Sequence, residues 1–435
     1  MSIKKTATTI DHRVNITDLF ATDIAETAKK TGWEAWNLPW NIYLTNSQKK
    51  ESGLLQQFIR SGLWNDVKRS YFPAPIDAVS KFSLKEYQKS HNATEAEMSS
   101  FRYYLDMIMG EVHKLPTVDV KPYKPSKVTS INRAVTSLWG DWHIGTNLVP
   151  EESGVKFGPV EEARAVAFLV KTVLDYKTDH RDNTRLIINI IGDLIENMLH
   201  GYNGAIPVPL QIIRCTSLLR QAFAHLSAGY REVDVFWVAG NHDRNPMIHP
   251  KRAIHDRQVQ SFSSIIALIL KQELEHKNSN VKIHISLKPE IAYDLFDHRI
   301  HGGHGDLFTT VPNPGKTLNV KDILHQVLVL NNKEIQDGRK PFEVHHLGHV
   351  HTPGILYVDE YCKLAINGPL LPPGMFAQSI GIRSGVRGHL LYESTPEYAI
   401  GDNRLIYLNG SELNSSLDKI IQVLPEFEEK EVKLK

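Results

Sequence analysis

The sequence predicts an α/β layered domain with a β-rich second half, preceded by a mostly helical N-terminal domain. Three observations carry this expectation. From residue 131 onward, short apolar runs alternate with longer amphipathic stretches, the pattern of strands exchanging with helices. Several of the apolar runs stop at a glycine followed by Asp, Asn or His, residues that end strands rather than extend them. Between the two regions, PTVDVKPYKPSK (116–127) brings three prolines and several lysines together, which reads as an extended linker near 116–130.

Each element follows from its pattern. AVTSLWG (134–140) is a strand. PVEEARAVAFLVKTVLDYK (159–177) is an amphipathic helix with Pro159 and acidic residues in its first turn. TRLIINIIG (184–192) is a strand, PLQIIRCTSLLRQAFAHLSAG (209–229) a helix ending near Gly229, and VDVFWVAG (233–240) a buried strand. SFSSIIALILKQELEHK (261–277) is a helix and VKIHIS (281–286) a strand. After RIHGGHGD (299–306) come the helical NVKDILHQVLVLNNKEI (319–335) and FEVHHLGHVH (342–351), a strand and its loop. LAINGPL, GHLLYES and RLIYLNG then supply strands that close the domain near 410. The expected organisation is a helical region over 1–125, the layered domain over 131–410 and a charged tail over 411–435.

Composition narrows the function. With 50 Lys+Arg against 49 Asp+Glu there is no global basic field that announces nucleic acid, although a local basic groove is compatible with that balance. Cys215 and Cys362 form no disulfide framework and suggest a reducing compartment. The longest apolar runs are too short to span a bilayer, and MSIKKTATTIDHRVNITDLF lacks an apolar signal core, so a cytoplasmic location is expected. In GWEAWNLPWNIY, Trp33, Trp36 and Trp40 share a helical face, as core of a small helical domain or, more sharply, as a platform for bases or a protein partner.

The chemistry lies at five strand ends. LWGDWHIG carries Asp141 and His143, two apart, so both point to one side of an extended chain. IIGDLIEN carries Asp193, VAGNHD carries Asn241 and His242, HGGHGD carries His301 and His304, and HLGHVH carries His349 and His351. A glycine precedes Asp141, Asp193, Asn241, His304 and His349, which lets the backbone turn sharply and approach a ligand. Any one of these pieces is an ordinary turn; five of them, each ending an apolar strand, point to a site at the carboxyl ends of the strands. Carboxylate, imidazole and amide donors together suit Mn²⁺, Fe or Zn²⁺ rather than Ca²⁺, and Asp141, His143, Asn241, His304, His349 and His351 with a shared Asp193 suffice for two ions.

In order, GDWH, GDLIEN, GNHD, HGD and GHVH resemble the calcineurin-like metallophosphoesterases, whose pattern is D-x-H, G-D-x-x, G-N-H-D/E, a lone His and G-H-x-H. The resemblance covers roughly residues 131–400. It implies a sandwich of two mixed β-sheets flanked by helices, and two divalent ions, with Mn²⁺ as the first choice. Asp141, His143 and His351 would then hold one ion; Asn241, His304 and His349 would hold the other, with Asp193 bridging and His242 catalytic. For the lone His, His304 is preferred over His301 because Gly-Asp follows it. Asp243 is a candidate to orient His242, and Arg244 a candidate for a substrate phosphate or for a surface ion pair. The implied reaction is in-line attack of a metal-held hydroxide on a phosphoester.

The protein phosphatase branch is disfavoured, because LIEN and VA stand where its Asp-Arg-Gly and Leu-Arg would be. The DNA-repair exonuclease branch shares GNHD but usually has a histidine three residues after the bridging Asp, where this chain has Glu196. INGPLLPPGMFAQSIGIRSGVRGHLLY (366–392) resembles the corresponding region of bacteriophage-encoded members, with Pro369 in place of a serine; a phage origin would make the location the host cytoplasm. Arg383 and Arg387 in this stretch are candidates for tracking a nucleic-acid backbone. The leading expectation is a phosphodiesterase or nuclease acting on DNA. The alternatives are a phosphatase or phosphodiesterase for small nucleotides and a non-catalytic member of the fold. A protein partner through the N-terminal region is a further expectation.

Overall fold

A computed structural model describes residues 108–423, apart from 109, 113, 116–117, 119–120, 128, 177, 199–204, 246–260, 278–279, 309–319, 375–384, 409 and 411. The helical expectation for the N-terminal region up to residue 107, including Trp33, Trp36 and Trp40, lies outside the described residues, as do Arg383 and most of the charged tail. The chain divides into compact units Met1–Phe101 and Arg102–Lys435.

Two mixed sheets face each other. Sheet I has the order β11-β10-β1-β2-β3-β4 and sheet II the order β5-β6-β7-β9-β8. In sheet I, β1 (Arg133–Trp139), β2 (Thr184–Ile191), β3 (Glu232–Val238) and β4 (Val281–Ile285) run parallel, joined by helical crossovers. These helices are α1 (Pro159–Asp175), α2 (Val208–Gly229) and α3 (Phe262–Lys277). β10 (Gly388–Ser394) pairs antiparallel with β1 and carries β11 (Asn403–Tyr407) on its other edge. In sheet II, β6 (His298–Gly303), β7 (Val344–Leu347) and β9 (Lys363–Ile366) are parallel, with β5 (Glu290–Leu295) and β8 (Gly354–Tyr357) antiparallel at the two edges.

The two-residue period of the strands sorts the core into layers. On β2, Leu186, Ile188 and Ile190 face α1–α3, whereas Ile187 and Ile191 face sheet II. On β1, Val135 and Trp139 join the helix side, and Ala134 and Leu138 meet Ile300, Val344 and Ala365 between the sheets. A third cluster lies under α4 (Val320–Gln336), where Ile323 and Val327 pack on Leu347, Leu364 and Ile366. The order is therefore helices, sheet, sheet, helix. No helix among the described residues is long and apolar enough to cross a membrane.

The described residues that lead into the domain make contacts with it. Ile108, Val112 and Leu115 are buried in the helix-side core. Tyr123 N–H donates to Ser227 O (2.9 Å) and Tyr123 O–H to Asp182 (2.8 Å). The tyrosine and the main chain of this segment thus find partners on the domain surface.

Two interactions fix the layers. Trp139, fully buried, stacks on Phe223 (6.0 Å between ring centroids, 4° between planes) and donates Nε1–H to Ser137 Oγ at 2.9 Å. Trp139→Ala is expected to cost about 3–5 kcal/mol, read as a lower urea midpoint, and Trp139→Phe clearly less. On the opposite layer, Glu334 of α4 accepts from Arg339 Nε (2.7 Å) and Arg299 Nε (3.0 Å), which hold its carboxyl down at about 2. A depressed carboxyl stabilises the fold above its unfolded pKa and loses that contribution as pH falls through the folded value. The stability gap between the wild type and Glu334→Gln, on the order of 1 kcal/mol at pH 7, is expected to shrink progressively below about pH 4; a constant gap down to pH 2.5 would contradict the ion-pair origin.

Candidate metal centre

All five motif loops leave the carboxyl ends of parallel strands, so the layered packing brings them to one edge of the sandwich. Asp141 and His143 follow β1, Asp193 follows β2, and Asn241 and His242 follow β3. His304 follows β6, and His349 and His351 follow β7.

The loop conformation differs from the extended chain that the Asp141/His143 spacing suggested. Asp141 (φ 52°), His143 (φ 50°), Asp193 (φ 53°), His349 (φ 69°) and His351 (φ 54°) all occupy the left-handed region. For residues with a Cβ this costs about 1–2 kcal/mol each. Hydrogen bonding between loops holds them there. Asp141 N–H donates to Gly192 O (3.0 Å), Trp142 N–H to Asp193 O (2.8 Å), His143 N–H to Asp193 O (3.1 Å) and Ile144 N–H to Leu194 O (2.9 Å).

The sharp turns are therefore made in large part by the candidate ligands themselves, together with Gly192 (φ 90°), and Gly240 and Gly348 serve close approach. A Cβ on Gly240 would overlap Asp193 Oδ1, and one on Gly348 would lie 2.6 Å from Asp141 Oδ2.

Two ligand clusters result. Asp141, His143 and His351 bring ligand atoms within 4.8 Å of one another, and so do Asp193, His304 and His349. In the first, His143 Nε2 faces His351 Nε2 at 3.3 Å, and His351 Nε2 lies 3.5 Å from Asp141 Oδ1. In the second, His304 Nε2 lies 2.9 Å from Asp193 Oδ2 and 3.0 Å from Asn241 Oδ1, so Asn241 joins this cluster. His304 Nδ1 is committed to Ile191 O at 2.8 Å, which turns Nε2 toward the cluster.

The electrostatics suit a cation. Burial opposes charge on Asp193, but the facing His304 and His242 hold its carboxyl well below the usual range. Burial also opposes a charged His304, yet Asp193 and Asp141 hold it up to about 10. In the metal-free chain the carboxylates thus recruit a proton at the place where a divalent ion would bring positive charge. Burial and His304 push His349 down to about 4, leaving a neutral donor. Buried carboxylates, imidazoles and an amide oxygen together fit two divalent cations.

His242 is buried beside the first cluster, its ring 4.5 Å from that of His143. Its Nδ1–H donates to Glu196 O (2.8 Å), and its backbone N–H to Asp193 Oδ1 (2.7 Å). Burial works against its charge, but Asp193 and Glu196 raise its pKa.

Three further candidates have these surroundings. The hydrogen bond that orients His242 comes from Glu196, while the Asp243 carboxylate is occupied by backbone N–H groups of Gly240 (2.8 Å), Asp193 (2.8 Å) and Leu194 (3.0 Å). Arg244 is engaged by Asp306 through an ion pair of 2.5 Å. Arg387 turns inward, donating Nε–H to Leu370 O (2.9 Å) with its guanidinium over the Phe157 ring. His301, the alternative to His304, lies away from both clusters, 3.2 Å from His345 and against Phe342.

Sequence reasoning treated Glu196 only as a departure from a family pattern and passed over Asn197. Glu196 is buried with Oε2 2.8 Å from His143 Nδ1. Asn197 (φ 62°) donates Nδ2–H to His242 O (2.6 Å) and Arg244 O (2.8 Å), clamping the β3 loop. The available signal was an acid and an amide placed directly after an apolar strand and a candidate ligand.

No family model and no curated protein matches the chain. Solved structures similar to it include a predicted phosphoesterase from Streptococcus pneumoniae TIGR4, with 11% identity over 64% of this chain and 99% of that one at a TM-score of 0.26. The calcineurin-like phosphoesterase YfkN from Bacillus subtilis has 10% identity over 67% of this chain and 96% of that one, at 0.28. The 5'-nucleotidase from Candida albicans SC5314 has 10% identity over 70% of this chain and 56% of that one, at 0.31. Likeness at this level carries no argument about activity.

Because a side chain on residue 240 would collide with Asp193, Gly240→Ala is expected to weaken Mn²⁺ binding at least tenfold, as measured by titration calorimetry, while the far-UV spectrum stays that of the wild type.

Proposed function

We propose that this chain is a phosphoesterase dependent on two divalent metal ions, with a DNA phosphodiester as its leading substrate. The observation that carries the reading is the pair of ligand clusters, Asp141/His143/His351 and Asp193/Asn241/His304/His349, at one end of a two-sheet sandwich with a buried histidine beside them. The GNHD and GHVH motifs add to it. Mn²⁺ is the first ion to try, with Fe or Zn²⁺ as alternatives. When bound, the ions would polarise the phosphoryl group and acidify the attacking water.

The chain's own residues do the rest. Asp193 would hold an ion together with Asn241, His304 and His349. Glu196 O holds the proton of His242 at Nδ1, so the proton that His242 exchanges with a leaving oxygen is the one at Nε2. Asp243 and Asn197 keep the β3 loop at a fixed height relative to Asp193, which fixes the distance between His242 and the ligands.

The test is hydrolysis by the full chain with Mn²⁺ of labelled single- and double-stranded DNA, a small diester and a small monoester. Cleavage of DNA and diester is expected, with His242→Ala lowering kcat by about 10²–10⁴ and leaving Mn²⁺ binding within about threefold. Hydrolysis of the monoester or of small nucleotides alone would replace the DNA reading with a nucleotide phosphatase. Failure of the wild type to bind two ions would sink both.

A further inference from the structure

We propose that Glu196 is a positioning residue that fixes the protonation geometry of two imidazoles at once. Its side chain sets the proton of His143 at Nδ1, so that Nε2 is presented to the first metal cluster, and its main-chain carbonyl sets the proton of His242 at Nδ1. The inference rests on the metal-dependent reading above for its functional meaning, and on the hydrogen bonds alone for its structural content.

Glu196 sits between the two rings. Its Oε2 lies 2.8 Å from His143 Nδ1 and 3.8 Å from His242 Nδ1, and its own carbonyl accepts from His242 Nδ1 at 2.8 Å. The side chain is 1% exposed. Water cannot substitute freely for this acceptor, so whatever faces His143 Nδ1 decides where that ring carries its proton.

A carboxylate accepts only, and therefore selects Nδ1–H. The opposite nitrogen is then a lone pair aimed at His351 and Asp141. The residue itself is held in register by its backbone N–H donating to Ile144 O (3.1 Å), which ties it to the loop that carries His143.

The orientation of the His143 ring distinguishes this role from direct ligation. His143, Glu196 and His242 also bring polar atoms within 4.8 Å of one another, which raises the question of an ion held among them. His143 Nδ1 faces the Glu196 carboxylate at 2.8 Å, whereas its Nε2 faces His351 Nε2 at 3.3 Å on the side of Asp141. The two nitrogens of His143 thus divide their work, one toward Glu196 and one toward the cluster. A histidine at position 196, as the exonuclease branch would place it, has one donor and one acceptor nitrogen when neutral and could leave His143 in either tautomer.

The experiment is ¹⁵N NMR of the histidine side chains in the metal-free full chain at about pH 8, where an ordinary imidazole is neutral. The signals are assigned by their loss in His143→Ala and His242→Ala. In the wild type both rings are expected to carry the proton at Nδ1. Glu196→Gln, whose amide oxygen still accepts, keeps His143 in that state. Glu196→Ala releases His143 to the Nε2–H form or a mixture, while His242 stays Nδ1–H because its acceptor is main chain. In parallel calorimetry, Glu196→Ala weakens binding of one Mn²⁺ by about 10–100-fold and Glu196→Gln by much less.

A wild-type His143 protonated at Nε2 overturns the inference, and this reading needs no variant to fold. An unchanged His143 tautomer in a folded Glu196→Ala protein overturns it equally. If the wild type shows the expected tautomers but binds no ion, the metal-dependent function fails while the positioning of the two rings stands.

Discussion

The fully buried carboxylate of Asp243 is the constraint on which the site depends. It accepts N–H groups from Gly240 on its own loop and from Asp193 and Leu194 on the loop after β2. A carboxylate in a dry interior is expensive unless its oxygens are satisfied, and here they are satisfied by backbone that has no other local partner. Burial and the neighbouring Asp193 push its pKa up to about 6, the mark of a charge kept in place by geometry against the cost of desolvation. Every distance between the β2 and β3 ligands follows from this clamp. Asn197 repeats the device from the other side.

Around the clamp, conformational strain and charge are arranged together. Five candidate ligands hold a backbone conformation they would not choose alone, and the loops that carry them are laced to one another rather than to solvent. The bonds that lace them are also the ones that orient the imidazoles, through Ile191 O for His304 and Glu196 for His143 and His242. The site is therefore preorganised by main chain, with side chains supplying donors of defined tautomer. His304, held charged in the absence of an ion, shows how strongly the assembled carboxylates favour a positive centre.

Much of the layered core was legible in the sequence. The four helices and the strands of sheet I announce themselves by period and by continuous apolar runs, since β1–β3 are covered on both faces. β5 and β8 carried little signal because they are the two edges of sheet II and bury only part of one face; GILY at β8 is half exposed. The placement of the candidate ligands at strand ends was legible. Their left-handed backbone was not, because Asp and His adopt positive φ only in a minority of places, and the Gly before Asp141, Asp193 and His349 drew attention to itself instead. Glu196 escaped because its partners are separated from it by 53 and 46 positions, and only packing reveals that a carboxylate faces both rings.

The pairing of β10 with β1 has a consequence for biosynthesis. Strand β1, which delivers Asp141 and His143, is flanked on one side by β2 some 50 residues later but on the other by residues about 260 positions downstream. Until 388–394 emerge from the ribosome, that edge of sheet I stays open, and the loop bearing His349 and His351 has already been made without its final support. Contacts of such long span are slow to form and leave an unsatisfied strand edge in the interval. Assembly of the candidate centre is thus a late event of translation, and a chain cut short before β10 would expose a sticky edge rather than a partly competent site.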